Sequence, residues 1–159
     1  MSDFKQQIVA EARGWLGTPF HHQGRARAGV DCIGLVLGVL EAVQCLSRAK
    51  DEMGARRRFS DFDECDYAPD PNSERLREKM DAHFYPLHVA ALAPGDILLF
   101  RILRLPQHVG IVGNHPYGGL SLIHAYSPAG KVVEEKLAQG FLSRVIAAYR
   151  VPAPSMGGQ

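Results

Sequence analysis

The sequence lacks most of what would mark a specialised environment. No long apolar run is present: the longest, residues 33–43, is interrupted by Gly34, Gly38 and Glu41. It falls short of the ~20 residues that a membrane-spanning helix needs, so no membrane insertion is expected. No charge of one sign dominates, because 18 Lys and Arg face 17 Asp and Glu, a formal net charge of +1. A near-neutral chain has no broad electrostatic pull toward nucleic acid or acidic lipid, so no nucleic-acid partner is expected. Cysteine is scarce: Cys32, Cys45 and Cys65 cannot all pair within one chain, and no CxxC occurs. That spacing suggests neither a disulfide framework nor a zinc ribbon. There is no internal repeat and no low-complexity block. The first residues, Met1 to Gln7, do not run from a basic segment into an apolar one. The expectation is therefore synthesis in the cytoplasm without a secretory signal, with any export by another route or aboard an assembly.

What is present reads as an ordinary globular chain. Its 159 residues are 46% apolar and 22% charged, which suits one domain with a core large enough to need no staple. Phe4, Ile8, Ala12, Trp15 and Leu16 recur every three or four positions and predict an amphipathic first helix. Ser2 can cap it, Asp3 sits in its first turn, and Gly17-Thr18-Pro19 stops it. A second helix is expected to begin at Asp31-Cys32, with Asp31 as its N-cap. Its apolar residues cover nearly all sides, the mark of a buried helix. Gly34 and Gly38 lie four apart and would let another backbone approach. Residues 48–90 read as an inserted, exposed excursion: Arg56-Arg57-Arg58, then Asp61, Asp63, Glu64 and Asp66, then Pro69-Asp70-Pro71-Asn72. A short helix is expected over 75–83. From residue 94 the pattern changes to consecutive strands, over 96–102, 108–112, 120–126, 131–135 and 145–151, with a turn at Pro116-Tyr117-Gly118-Gly119. Helices first and consecutive strands later imply an α+β fold with an antiparallel sheet. The domain is expected to span 1–151, with a flexible, Pro- and Gly-rich tail over 152–159.

Cys32 is the most informative residue. At a helix N-terminus, backbone N–H groups and the helix dipole favour a thiolate, and a thiolate is a nucleophile. The same position also suits an inert core cysteine. Cys45, near the far end of that helix, and Cys65, among carboxylates, are poor nucleophiles by the same electrostatics. A cysteine nucleophile needs a base and a group that orients the base. His108 opens one strand and His124 lies within the next, so the two can face each other across adjacent strands. His124 could equally be a satisfied core histidine. His21 and His22 precede Cys32 but have no second ligand pair at metal spacing, so no metal is expected. His83, His88 and His115 read as surface or loop residues, with His88 able to cap a turn.

The order of these motifs resembles the NlpC/P60 cysteine peptidases. Gly17-Thr18-Pro19-Phe20, Gly24 and Gly29-Val30-Asp31-Cys32-Ile33-Gly34 are similar to the family's nucleophile segment. Pro94-Gly95-Asp96 resembles the strand that follows its helical half. His108-Val109-Gly110-Ile111 and Leu122-Ile123-His124-Ala125 resemble the strands carrying its base and its third polar residue. The resemblance implies a papain-like α+β fold, with Cys32 as nucleophile, His108 as general base and His124 as the orienting residue. It sets Phe20, Asp31 and Ile33 beside substrate. It further implies hydrolysis of peptidoglycan stem peptides, next to D-glutamate, through a thioester and without a cofactor. Phe20 stands where many members have Tyr, Ile33 where many have Ser, and Gln23-Gly24 where a Gly-Gly pair is common. The excursion, Ile33 and the lack of a wall-binding module resemble the short members encoded with phage tails and gene transfer agents. That resemblance implies a tail- or baseplate-associated enzyme acting in the periplasm or wall. Competing expectations are an amidase of the same fold group, a docking subunit of a tail tip without catalysis, and, remotely, a thiol-redox protein.

Overall fold

The computed structural model describes residues 3–59, 74–102 and 105–154. Cys65, the acidic run 61–66 and the Pro-Asp-Pro-Asn turn lie outside the described residues, as do the last residues of the tail.

Helix α1 spans Asp3–Arg13 and buries Ile8, Val9 and Ala12. Trp15 follows it into the core, but Leu16, expected on the same face, is 43% exposed. The helix ends at Arg13, so the helical spacing that would turn Leu16 inward stops before reaching it. Two short strands, β1 (Arg25–Ala26) and β2 (Gly29–Val30), form a hairpin that leads into α2 (Cys32–Ala42). Helix α2 carries its apolar residues on most sides and is the central buried element.

The charged segment after α2 is ordered where it is described. Strands β3 (Leu46–Lys50) and β4 (Arg56–Arg58) make a hairpin, and α3 covers Glu74–His83. The segment is also less exposed than its composition suggests. Phe59, Met80 and Phe84 are buried, and the rings of Phe59 and Phe84 stack at 4.8 Å between centroids. A few apolar side chains are enough to pin a polar segment to the core, and composition alone hides them.

The main sheet has six antiparallel strands in the order β5-β10-β6-β7-β8-β9. They are β5 (Tyr85–Leu87), β6 (Ile97–Ile102), β7 (Leu105–Asn114), β8 (Leu120–Tyr126), β9 (Lys131–Lys136) and β10 (Val145–Arg150). Strand β5 contains Pro86 and sits at the sheet edge, where a missing N–H is tolerated. Side chains alternate across the sheet. One face, including Ile97, Leu99, Ile111 and Ile123, packs against α1 and α2. The other, including Leu98, Phe100, Val112 and Leu122, is covered by Leu137, Phe141 and Leu142, the last two from α4 (Gln139–Leu142). The fold is α+β.

Two buried polar groups fasten the layers. Asp96, fully buried, accepts from Ala93 N–H at 2.8 Å and from Arg150 Nη2 at 3.0 Å. Tyr149 Oη donates to Asp81 at 2.6 Å and so ties α3 to β10. The start of the tail is held rather than loose. Pro152 is buried, its carbonyl accepts from Cys45 Sγ at 3.4 Å, and Arg56 donates to the Ala153 carbonyl at 3.0 Å.

Candidate active site

Asp31 caps α2: its carboxylate accepts from Gly34 N–H at 2.7 Å. It also accepts from Gln23 N–H at 3.1 Å and from Arg25 at 2.9 Å. One carboxylate thus fixes both the helix start and the preceding loop. Gly34 makes that junction possible. A Cβ there would collide with the Gly24 carbonyl oxygen, so the close backbone approach expected at Gly34 is real. Gly38 differs: it makes room for the Trp15 ring rather than for a backbone. Gln23 adopts φ +61, a left-handed conformation that favours glycine.

The segment 17–20 is stitched to the start of β9. Phe20 N–H donates to the Gly130 carbonyl at 2.9 Å, and Val132 N–H donates to Thr18 at 2.9 Å. Phe20 also bridges to Val30. It therefore lies on the chain that leads directly to Cys32. Phe20 and Ile33 are both partly buried and pack against the helix-side core.

Cys32 is 9% exposed. Its thiol receives hydrogen bonds from the backbone N–H groups of Val109 and Ile33, which favour the thiolate, as does Arg25. Burial, and then the charge of Asp31, outweigh them and push the thiol up to about 12. The expected thiolate is thus corrected: the resting group is a neutral thiol, because the dipole and amides act on a sulfur that is almost dry. Cys45 is also pushed up to about 12, chiefly by burial.

The ladder between β7 and β8 runs from Ile111↔Ile123 to Asn114↔Leu120 and stops there. Val109, whose N–H reaches the Cys32 thiol, lies just past its end and directly follows His108. The structure brings the two histidines together: His108 Nε2 and His124 Nδ1 are 2.7 Å apart. His124 is fully buried. Burial, and then the neighbouring His124, lower His108 to about 3; burial lowers His124 to about 4. Both rings are neutral at pH 7.

Aromatic rings hold the pair in place. Tyr126 stacks on His124 at 4.7 Å and 20°, and Phe141 meets His124 edge-on at 5.5 Å. Phe100 lies 5.8 Å from His108. Gly110 leaves the space that His124 fills, since a Cβ there would sit 3.2 Å from His124 Cβ and 2.5 Å from Leu122 Cδ1.

One site residue is invisible to sequence reasoning. His124 Nε2 lies 2.7 Å from Glu135 Oε2. Because β9 pairs Val133 with His124 and Glu135 with Leu122, Glu135 is the diagonal neighbour of His124 on the same sheet face. Only the β8–β9 register could have found it. His21 belongs to the loop before Cys32: its N–H donates to the Val30 carbonyl at 2.9 Å, and its Nδ1 lies 3.0 Å from the His22 carbonyl oxygen. His83 meets Ser47 Oγ at 2.7 Å, and His88 Nδ1 caps the turn at Ala90. Among the described residues no group of three His, Cys, Asp or Glu is placed to hold a metal.

Cys32 lies at a capped helix start, and its thiol accepts from the N–H of Val109, next in sequence to one of two paired sheet histidines. The chain belongs to the NlpC/P60 family, whose sequence model matches residues 17–151. It is similar in fold to the NlpC/p60 domain of peptidoglycan hydrolase SagA, with TM-score 0.59 and 23% identity over 92% of this chain and 98% of that one. It is similar to an N-acetylmuramoyl-L-alanine amidase from Bacteroides uniformis, with TM-score 0.57 and 15% identity over 96% of this chain and 100% of that one. NlpC2 from Trichomonas vaginalis aligns with TM-score 0.65 and 15% identity over 97% of this chain, which spans 48% of that protein. No curated protein matches the chain.

Proposed function

We propose that this protein is a cysteine peptidase that hydrolyses peptidoglycan stem peptides, next to D-glutamate. The observation that carries the reading is the His108–His124 pair, with the adjoining Val109 N–H reaching the Cys32 thiol at the start of α2, in a chain of this family. In the proposed cycle the Cys32 thiol gives its proton to His108 as the sulfur attacks the scissile carbonyl. Proton transfer and attack proceed together, because both resting groups are neutral. The oxyanion forms at the N-terminus of α2, where peptide N–H dipoles converge. His108 then protonates the leaving amine, and a thioester remains on Cys32. Water attacks it, giving a proton to His108 and releasing the carboxylic acid; the thiol regains its proton. His124 orients His108. Phe20 and Ile33 line the approach to the sulfur and offer it no side-chain hydrogen bond, so backbone amides must hold the peptide there. Asp31 acts by holding the loop and helix in register.

The same reading extends to biology. We infer delivery by a phage-like tail or baseplate, with local opening of the wall in the periplasm. The supporting observations are Ile33 directly after Cys32 and the added segment between α2 and β5, with its charged β3–β4 hairpin and α3. A second reading, a docking subunit with little activity, is favoured by the low exposure of Cys32. The test is mass spectrometry of stem peptides from purified peptidoglycan of several wall types. New fragments whose masses place the cut after D-glutamate support the peptidase; a cut between the sugar and L-alanine makes it an amidase. Intact peptides from every wall type, with the protein folded, favour the docking subunit.

A further inference from the structure

Beyond the cysteine and the two histidines, a carboxylate on the edge strand β9 reaches the buried ring of His124. We propose that Glu135 is a positioning residue that, acting through His124, fixes the tautomer of both histidines and keeps Nδ1 of His108 bare to receive the Cys32 proton. The inference rests on the peptidase reading of the site, because it assigns His108 the role of base.

The argument is one of donors and acceptors. An ionised carboxylate only accepts. At 2.7 Å from Glu135, His124 Nε2 must therefore carry a proton and donate. A neutral imidazole has one donor and one acceptor nitrogen, so His124 Nδ1 must then accept. At 2.7 Å its only donor in this contact is His108 Nε2–H. The remaining nitrogen of His108, Nδ1, is consequently unprotonated. Without the carboxylate, the opposite pattern satisfies the same histidine–histidine contact equally well. His124 Nδ1–H would donate to His108 Nε2, and His108 would carry its proton on Nδ1, where it cannot accept another. A base and a non-base thus differ only in the direction of two hydrogen bonds, and Glu135 is the group that breaks the tie.

The surroundings restrict the alternatives. His124 is sandwiched by the Tyr126 ring and the edge of Phe141, so rotating the imidazole to exchange its nitrogens requires displacing both. Glu135 keeps 41% of its side chain exposed to water while one carboxylate oxygen reaches the buried ring. The neighbouring Glu134 points elsewhere: it accepts from Ser121 at 2.6 Å and from Arg13 at 2.9 Å and 3.0 Å. It is thus a natural control on the same strand.

The test compares Glu135→Gln, Glu135→Ala and the control Glu134→Gln with the parent protein. Long-range proton–nitrogen correlation spectra distinguish a bare ring nitrogen from a protonated one. The parent protein and Glu134→Gln are expected to show both histidines protonated at Nε2 with Nδ1 bare. Glu135→Gln and Glu135→Ala are expected to show a second population with Nδ1–H on His108. A parallel readout is the rate at which iodoacetamide alkylates Cys32, followed at the level of the Cys32 peptide with Cys45 as internal reference. It is expected to fall roughly tenfold in the Glu135 variants, less than the ~100-fold or more of a lost general base, because part of the population keeps Nδ1 of His108 bare. Neither readout requires a cell-wall substrate, so failure to cleave peptidoglycan leaves this inference standing. Protonated Nδ1 on His108 in the parent protein would overturn it, as would unchanged spectra and alkylation rates in Glu135→Gln.

Discussion

Adding one methyl group at Gly34 sets two opposed effects against each other. In a helix interior, Ala is favoured over Gly by about 1 kcal/mol, so Gly34→Ala would be stabilising if the site were open. It is not open. The new Cβ would overlap the carbonyl oxygen of Gly24, a backbone atom that no rotamer change can move. Arg25 also donates to that carbonyl at 3.0 Å, and the Asp31 N–H approaches it at 3.3 Å. Relief requires shifting the loop or the first turn of α2. Overpacking of this kind costs about 1–3 kcal/mol and more against backbone. With the clash against backbone, the cost lies in the upper part of that range, about 2–3 kcal/mol, so the net loss is about 1–2 kcal/mol, or a fall in Tm of about 2–8 °C for a domain of this size. The larger consequence is for activity. Cys32 is two residues away on the same turn, and a misplacement of about 1 Å can cost about 100-fold in rate. Thermal unfolding and cleavage rates would be measured together, with Gly140→Ala as a control because its Cβ meets no atom within 4 Å. A Gly34→Ala protein that is more stable and fully active would refute the close packing of α2 on the loop.

Stability is expected to depend on pH through the histidine pair. His108 and His124 stand at about 3 and about 4, below the ordinary 6.5. As pH falls from about 6.5 toward those values the unfolded chain takes up protons first, so stability declines by up to about 1.4 kcal/mol per pH unit for each histidine. Urea unfolding between pH 6.5 and 4 should give a shallower decline in His124→Asn, and an identical slope would contradict the buried, neutral assignment. For catalysis, His124→Asn should keep part of the activity, since an amide can still pair with an imidazole. His124→Ala should lose about 100-fold; equal rates for the parent protein and Ala would remove His124 from the site. Asp96→Asn should cost about 2–3 kcal/mol in chemical unfolding, because it removes a fully buried charge from Arg150 while Arg150 itself keeps partial access to water. A loss under about 0.5 kcal/mol would show that the pair is not structural.

The parts of the fold that were legible in the sequence are those with strong local signals. Helix α2 could be read because its apolar residues cover most sides and Asp31 stands where a cap belongs, and the cap is present. Strands β6 to β10 could be read from apolar runs between turns. What could not be read depends on partners distant in sequence. Strands β3 and β4 are mostly charged or small and pair with each other, so no hydrophobic alternation betrays them. Strand β5 contains a proline and is recognisable only once β10 lies beside it. At the site, the two histidines were visible as residues on successive strands, but Glu135 was not, because its contact follows from register across β8 and β9. The thiol's neutrality was hidden as well: helix position is a local property, whereas burial is a property of the packed core.

The central claim is that Cys32 is the nucleophile of a cell-wall peptidase. It is tested most directly by incubating one purified stem peptide with the parent protein and with Cys32→Ala, after near-identical thermal unfolding has shown both to be folded. The account predicts fragments only with the parent protein, together with an acid-stable mass increase on its Cys32 peptide equal to the acyl half of the substrate. Fragments released at the same rate by Cys32→Ala would contradict it.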